Sequence, residues 1–118
     1  MSAINLTKGG FLRRVMDYEK NPISDWRFLG NKPAIIDFYA SWCGPCNMLA
    51  PIIEEVARDY NGQIDVYKID VDKEEALASV FGIRSIPTLL FVPMSGMPTR
   101  ASGVMPRHEI SQMLDQML

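Results

Sequence analysis

At 118 residues the chain fits one domain, large enough to bury a core without disulfide staples. Its composition, 47% hydrophobic and 22% charged, is ordinary for a soluble globular protein. A formal charge of −2 argues against the basic footprint of a nucleic-acid binder and against an anionic membrane as partner. No apolar stretch approaches the roughly 20 residues that a membrane helix needs. Residues 1–8 lack the basic start and apolar block of a signal peptide. A cytoplasmic monomer is expected, with the periplasm as the alternative if a leader is removed on export.

Ile4, Asn5 and Leu6 suit a short edge strand. Residues 8–16 then place Phe11, Leu12, Val15 and Met16 at helical spacing. Residues 17–31 are mixed: Asn21-Pro22 breaks any helix, and Trp26, Phe28 and Leu29 are available to pack down. The stretch reads as a surface excursion anchored by Trp26, in preference to a partner-binding loop. Residues 33–40 read as a strand apolar on both faces, which fits the centre of a covered sheet.

Residues 43–60 follow as a helix with Cys46, Leu49, Ala50, Ile53, Val56, Ala57 and Tyr60 along one stripe. Asn47, Glu54, Glu55, Arg58 and Asp59 occupy the other face. Pro51 removes one backbone hydrogen bond inside this helix and predicts a kink. Asn61-Gly62 ends it, and residues 63–71 form a second strand rich in Ile and Val. Strand, helix, strand in this short span is a right-handed parallel crossover.

Residues 73–81 read as a third helix, stopped near Gly82. Residues 88–92 and 99–104 make a hairpin around Pro93-Met94-Ser95-Gly96-Met97-Pro98. Pro106 starts the last helix, at a position where a missing N–H costs nothing. Ile110, Met113, Leu114 and Met117 form its buried stripe, and His108 is a solvated first-turn residue. The methionines are expected mainly to fill the core. No repeat, linker or low-complexity segment interrupts the chain. Residues 1–118 therefore read as a single α/β domain with an extended N-terminal segment, 1–31.

Both cysteines lie in Trp42-Cys43-Gly44-Pro45-Cys46, at the junction of the central strand and its helix. At that spacing they can close a small disulfide that reopens easily. The helix N-terminus favours a thiolate at the first sulfur, and thiolate is the attacking species in disulfide exchange. Cys43 is expected to be exposed and to attack. Cys46, one turn later on the apolar stripe, is expected to be buried and to resolve the mixed disulfide. Pro45 stiffens the loop, and Gly44 leaves room for an incoming chain. Two readings compete with this one: half of a zinc site, for which the chain adds only His108 to the two thiols, and a pair of inert thiols.

Asp37 is a carboxylate within an apolar strand, costly to bury ionised and so expected to carry a raised pKa. Behind the following helix it can accept and return the Cys46 proton; the competing reading is a hydrogen-bonded structural Asp. Lys68 shares a strand face with Ile64 and Val66 and is placed either to pair with Asp37 or to reach solvent past the strand. Pro87 in Ile86-Pro87-Thr88 leads into an apparently buried strand, which requires a bend or a strand start. Only about one X–Pro bond in twenty is cis, so these residues leave the isomer open.

Taken together these residues resemble the thioredoxin family. The stretch Asp37-Phe38-Tyr39-Ala40-Ser41-Trp42-Cys43-Gly44-Pro45-Cys46 is similar to that family's active-site segment. Ala50-Pro51, Lys68, Asp70, Gly82-Ile83-Arg84-Ser85-Ile86-Pro87-Thr88 and Gly103 extend the resemblance over residues 32–118. It implies the thioredoxin fold, a mixed central sheet of four to five strands flanked by about four helices. It also implies a cis Pro87 facing the Cys43–Cys46 pair, with the Ile86 backbone pairing to an extended substrate. Trp42, Gly82 and Gly103 are implied to help form an apolar docking surface. Asp37 and Lys68 match the family's buried acid and its neighbour.

The implied activity is reduction of protein disulfides with no bound cofactor beyond the Cys43–Cys46 disulfide itself. A flavin-containing thioredoxin reductase would restore the dithiol from NADPH. The chain departs from the pattern at Tyr39, where tryptophan is usual, and at Asn47, where Lys or Arg is usual. The lost cation weakens stabilisation of the Cys43 thiolate and alters partner steering. Residues 17–31 also look longer than in a minimal member. The alternative functions are the same chemistry run as an oxidase, an isomerase or a dedicated donor in an exported pathway, and a non-enzymatic binding module.

Overall fold

The central strand of the sheet is β2 (Ala34–Tyr39), flanked on one side by a parallel neighbour and on the other by an antiparallel one. The computed structural model, which describes residues 2–118, has the element order β1 (Ile4–Asn5), α1 (Lys8–Arg14), β2, α2 (Gly44–Asp59), β3 (Asp65–Asp70), α3 (Glu75–Val80), β4 (Thr88–Val92), β5 (Thr99–Ser102) and α4 (Arg107–Gln116). The strands line up as β1-β3-β2-β4-β5. β1, β3 and β2 run parallel, and β4 and β5 pair antiparallel to extend the sheet past β2. This is the mixed α/β architecture the sequence implies.

Alternation along β2 divides the core into two halves. Ala34, Ile36 and Phe38 face a cluster with Phe11 of α1, Leu77 of α3 and the ring of Phe81. Ile35 faces the other cluster, built on Leu49, Ile53 and Val56 of α2 with Ile110 and Leu114 of α4. Two helices thus cover each face, and β2 is hidden from water along most of its length. The helix starts follow local chemistry. Thr7 caps α1, its hydroxyl accepting the Gly10 N–H at 3.1 Å. Gly62, at φ +86°, supplies the left-handed turn that leads from α2 into β3.

Several boundaries and side chains differ from the expectation. β5 ends at Ser102, because Gly103 turns the chain at φ +86°. α3 starts only at Glu75, after a turn in which the Glu74 N–H bonds the Asp70 carbonyl. Pro106 sits one residue before α4, at its N-cap, where it still removes no helical bond. α2 is a single helix with Pro51 inside it, as the sequence placed it. In the 17–31 excursion, which contains a 3-10 turn at Ile23–Asp25, Trp26 and Phe28 pack on the α1/α3 cluster but Leu29 is exposed. Among the methionines Met16 is fully buried, whereas Met48, Met94 and Met97 face solvent, on the outer side of α2 and in the hairpin turn. His108 is exposed, as its place in the first turn of α4 required.

Phe81 is the hub of the α1/α3 half. Its ring lies 5.4 Å from Phe11, 5.7 Å from Phe38 and 6.2 Å from Trp26, centre to centre. Truncation there empties a site that strand, helix and excursion share. Phe81→Ala is expected to cost about 3–5 kcal/mol of stability, and Val80→Ala, on the exposed side of α3, about 0.5 kcal/mol or less. Denaturant unfolding of the two variants checks this, and equal losses would show that the excursion is not anchored through Phe81.

Candidate active site

The chain leaves β2, turns at Ser41-Trp42 and enters α2 with Cys43 as its N-cap. Cys43 has an extended backbone (φ −87°, ψ 115°), and its Sγ accepts the N–H of Cys46 at 3.2 Å. A sulfur therefore occupies the place usually taken by a capping oxygen. α2 is 16 residues long, so its first amides and dipole act on that sulfur with full effect. Pro45 in the first turn supplies a preset φ and removes an N–H that would have had no partner. A Cβ on Gly44 would meet nothing within 4 Å, so the approach over the first turn is open.

Cys43 and Cys46 are joined as a disulfide with their Cα atoms 5.2 Å apart. Cys46 is buried, as its place on the apolar stripe required. Cys43 is not exposed: it is 5% accessible against 2% for Cys46. The reason lies across from it. Ala40, Tyr39, Val71 and Ile86 pack around the pair, and the Ile86 carbonyl oxygen stands 3.8 Å from Cys43 Sγ. Residues near 86 are far away in the chain, and helical position alone says nothing of their cover.

The Ile86–Pro87 bond is cis, and Pro87 sits immediately before β4. Its carbonyl accepts the N–H of Gly103 at 2.9 Å, and Thr88 Oγ1 donates to the Ser85 carbonyl at 2.7 Å, so the loop is held from both sides. The Ile86 N–H has no backbone partner among the described residues. Trp42 is 70% exposed, its Nε1 donating to Asp72 Oδ2 at 2.6 Å. Gly82 ends α3 at φ +61°, and no bond among the described residues ties it to the cysteines. Asn47 is exposed on the outer side of the first turn, its side-chain amide donating to the Ser41 carbonyl at 3.4 Å.

Asp37 lies between Ile35 and Tyr39 on the α2 face of β2, in register with Lys68 on β3 and Leu89 on β4. It is 1% exposed, and neither carboxyl oxygen has a hydrogen-bond partner. Burial pushes its pKa up to about 6, with the nearby Lys68 charge acting in the opposite direction. The hydrogen-bonded structural role for Asp37 is thereby not seen. Of the two places open to Lys68, neither pairing with Asp37 nor a free reach into solvent is what the structure has: Lys68 Nζ lies 4.5 Å over the centre of the Tyr39 ring. An aromatic face competes for the ammonium. Burial and the charges of Asp70 and Asp37 raise the pKa of Tyr39, and its hydroxyl donates to Asn5 Oδ1 at 2.9 Å.

Two residues of this neighbourhood escaped the sequence reading. Asn5 arrives through the pairing of β1 with β3, and Asp72 through the turn after β3. Register and turn geometry bring them in, and neither leaves a local pattern. The structure thus gathers Cys43, Cys46, Ile86 and Pro87 at one place, with Gly103 bonded to the loop. Trp42 stands beside them, and Asp37 and Lys68 lie on the α2 side of the sheet.

A family model described as Thioredoxin matches residues 19–116. The chain is 48% identical over 101 residues to the thioredoxin of Borreliella burgdorferi, an alignment covering 86% of this chain and 85% of that protein. It is 43% identical over 86 residues to thioredoxin 2 of Chlorobaculum tepidum, covering 73% and 79% respectively. The crystal structure of chloroplastic thioredoxin z superposes with a TM-score of 0.77 at 28% identity, over 99% of this chain and 95% of that one.

The Asp37 environment has a consequence for stability. With the carboxyl pKa raised from 3.8 to about 6, the folded protein binds this proton more tightly than the unfolded chain does. Its contribution is fully present below the unfolded value and is lost as pH rises through the folded one. Asp37→Asn is therefore expected to gain about 3 kcal/mol on the wild type between pH ~3.5 and pH ~8. Urea unfolding across that range measures the difference, and a pH-independent gap would mean that Asp37 titrates normally.

Proposed function

This chain belongs to the thioredoxin family and is a thiol–disulfide oxidoreductase, and on that premise we propose that it works in the reducing direction on disulfides of other proteins. The observation that carries the reading is the sulfur at the helix start: Cys43 Sγ caps α2 and faces the Ile86 carbonyl across a narrow gap. Family members of this kind need no bound cofactor, since the electrons reside in the cysteine pair.

In the dithiol form the Cys43 thiolate attacks one sulfur of a substrate disulfide, forming a mixed disulfide and expelling a substrate thiolate. Cys46 then loses its proton and attacks Cys43 Sγ. The Cys43–Cys46 disulfide forms, and the second substrate sulfur leaves as a thiolate. Two electrons have passed to the substrate.

Asp37 takes the Cys46 proton in this scheme. Its pKa near 6 makes it a stronger base than an ordinary Asp while it is still largely ionised at neutral pH. Substrate enters over Gly44, where nothing blocks the first turn, and its extended backbone pairs with the free N–H of Ile86 beside Pro87. Trp42, Gly82 and Gly103 make the apolar surround in this reading. Lys68 tunes Asp37 through space.

Regeneration falls to a flavin-containing thioredoxin reductase drawing on NADPH. The chain acts as a monomer in the cytoplasm, with residues 1–118 as one unit and 1–31 as its N-terminal extension. With Asn47 in place of a cation, thiolate stabilisation at Cys43 comes from the helix start alone on this side of the turn.

NADPH-coupled reduction of a protein disulfide with a matched reductase tests the proposal. Cys43→Ser is expected to fall to the background rate, and Cys46→Ser to accumulate the mixed disulfide with substrate, visible on a non-reducing gel. Wild-type turnover at background, or a strongly oxidising potential against glutathione, would sink the reductase reading.

A further inference from the structure

Asn5 on β1, Lys68 on β3 and Asp37 on β2 stand side by side in register across the sheet. Directly opposed residues send their side chains to one face, and Tyr39, two residues beyond Asp37, points the same way. A lysine directly opposite a buried carboxylate is ordinarily its ion-pair partner. Here both Asp37 oxygens are unpartnered and the Lys68 ammonium rests 4.5 Å above the Tyr39 ring instead. The ring is itself tethered at its far end, the hydroxyl donating to Asn5 Oδ1 at 2.9 Å. We propose that Asn5 and Tyr39 are positioning residues that hold the Lys68 ammonium on the ring and off the Asp37 carboxyl, so that Asp37 stays an unpaired base for the Cys46 proton. The final clause rests on the role given to Asp37 in the proposed function.

Few groups share this face with Asp37. β3 presents Lys68, with Asp70 one pleat further on and opposite Tyr39. β2 presents Tyr39 itself, and β4 presents only Leu89. α2 contributes Cys46 from its first turn, followed by the apolar Leu49 and Ile53. Burial is what chiefly raises the Asp37 pKa, and Lys68, the one cation in this set, opposes it by an amount that depends on its distance from the carboxyl. Even from the ring it favours the ionised carboxylate; closer approach strengthens that effect steeply in a dry site. The Asn5 side chain is the point at which β1, a two-residue edge strand fixed by its pairing with β3, by the Ala3 N–H on Glu54 and by buried Leu6, reaches the Tyr39 hydroxyl.

An NMR titration of the Asp37 side-chain carboxyl in the oxidised protein, where Cys46 carries no proton, tests the proposal. Tyr39→Leu is expected to lower the Asp37 midpoint by about 1 pH unit or more, and Asn5→Ala to lower it by a smaller amount. Adding Lys68→Met to either variant is expected to abolish the fall. Asn5 is exposed, so Asn5→Ala retains the fold even if Tyr39→Leu does not. An unmoved midpoint in Asn5→Ala overturns the proposal. So does a fall in Tyr39→Leu that survives Lys68→Met, because water entry would then be its cause. Rapid-mixing rates of the resolving step, taken separately, test Asp37 itself: a lowered midpoint with unchanged rates leaves the tether in place and removes Asp37 from proton transfer.

Discussion

The backbone pairing of β2 with a neighbour on each side is the constraint on which the site depends. Because β3 and β4 satisfy its N–H and C=O groups, β2 can be buried on both faces without orphaned backbone polarity. That burial gives the strand a fixed direction and a fixed end, and α2 begins where it stops. Cys43 is placed by this geometry more than by anything in its own side chain. The same pairing sets Lys68 opposite Asp37, and β4 carries Pro87 up to the cysteines at its start. One strand therefore aligns the reacting sulfurs, the buried acid and the loop that faces them.

Asp37 is where stability and chemistry pull in opposite directions. A carboxyl buried on the α2 face of the sheet with no hydrogen-bond partner is a local defect by packing standards. The surrounding core is continuous on both faces of the sheet and tolerates it. In the proposed scheme the defect has a chemical use, because an unpaired buried carboxyl with its pKa raised to about 6 is a stronger base than an ordinary Asp. Tyr39 fits the same pattern. Its ring is partly buried against the cysteine cluster, while its hydroxyl reaches the edge strand. A side chain with an apolar body and a polar tip suits a position that touches both environments.

Much of this was legible in the chain. A continuous apolar run, not alternation, marked β2, which is buried on both faces, and helical spacing marked α2 and α4. The two cysteines announced themselves by their place at a strand-to-helix junction. What escaped was set by distance along the chain. Cys43 was read as exposed because its helical position is exposed; Ile86, brought in by the later hairpin, covers it. For Lys68 the sequence left two places open, out to solvent past its own strand or beside Asp37 on β2, and it takes neither as a free end or an ion pair. The deciding partner was an aromatic face on the same strand, a contact set by rotamer choice and unmarked by residue type. Asn5 had no signal at all, since only the register of β1 against β3 delivers it.

The bond from the Gly103 N–H to the Pro87 carbonyl also fixes when the site exists. During synthesis both cysteines emerge well before residue 86, and Gly103, which fastens the facing loop, emerges later still. A nascent chain that has reached only β3 has the sulfurs on its growing helix but lacks the opposing wall. Its cysteines then stand at a helix start with neither Ile86 nor Pro87 across from them. The wall opposite the cysteines is complete only when the last hairpin closes, so the C-terminal third of the chain finishes a pocket that the earlier elements begin.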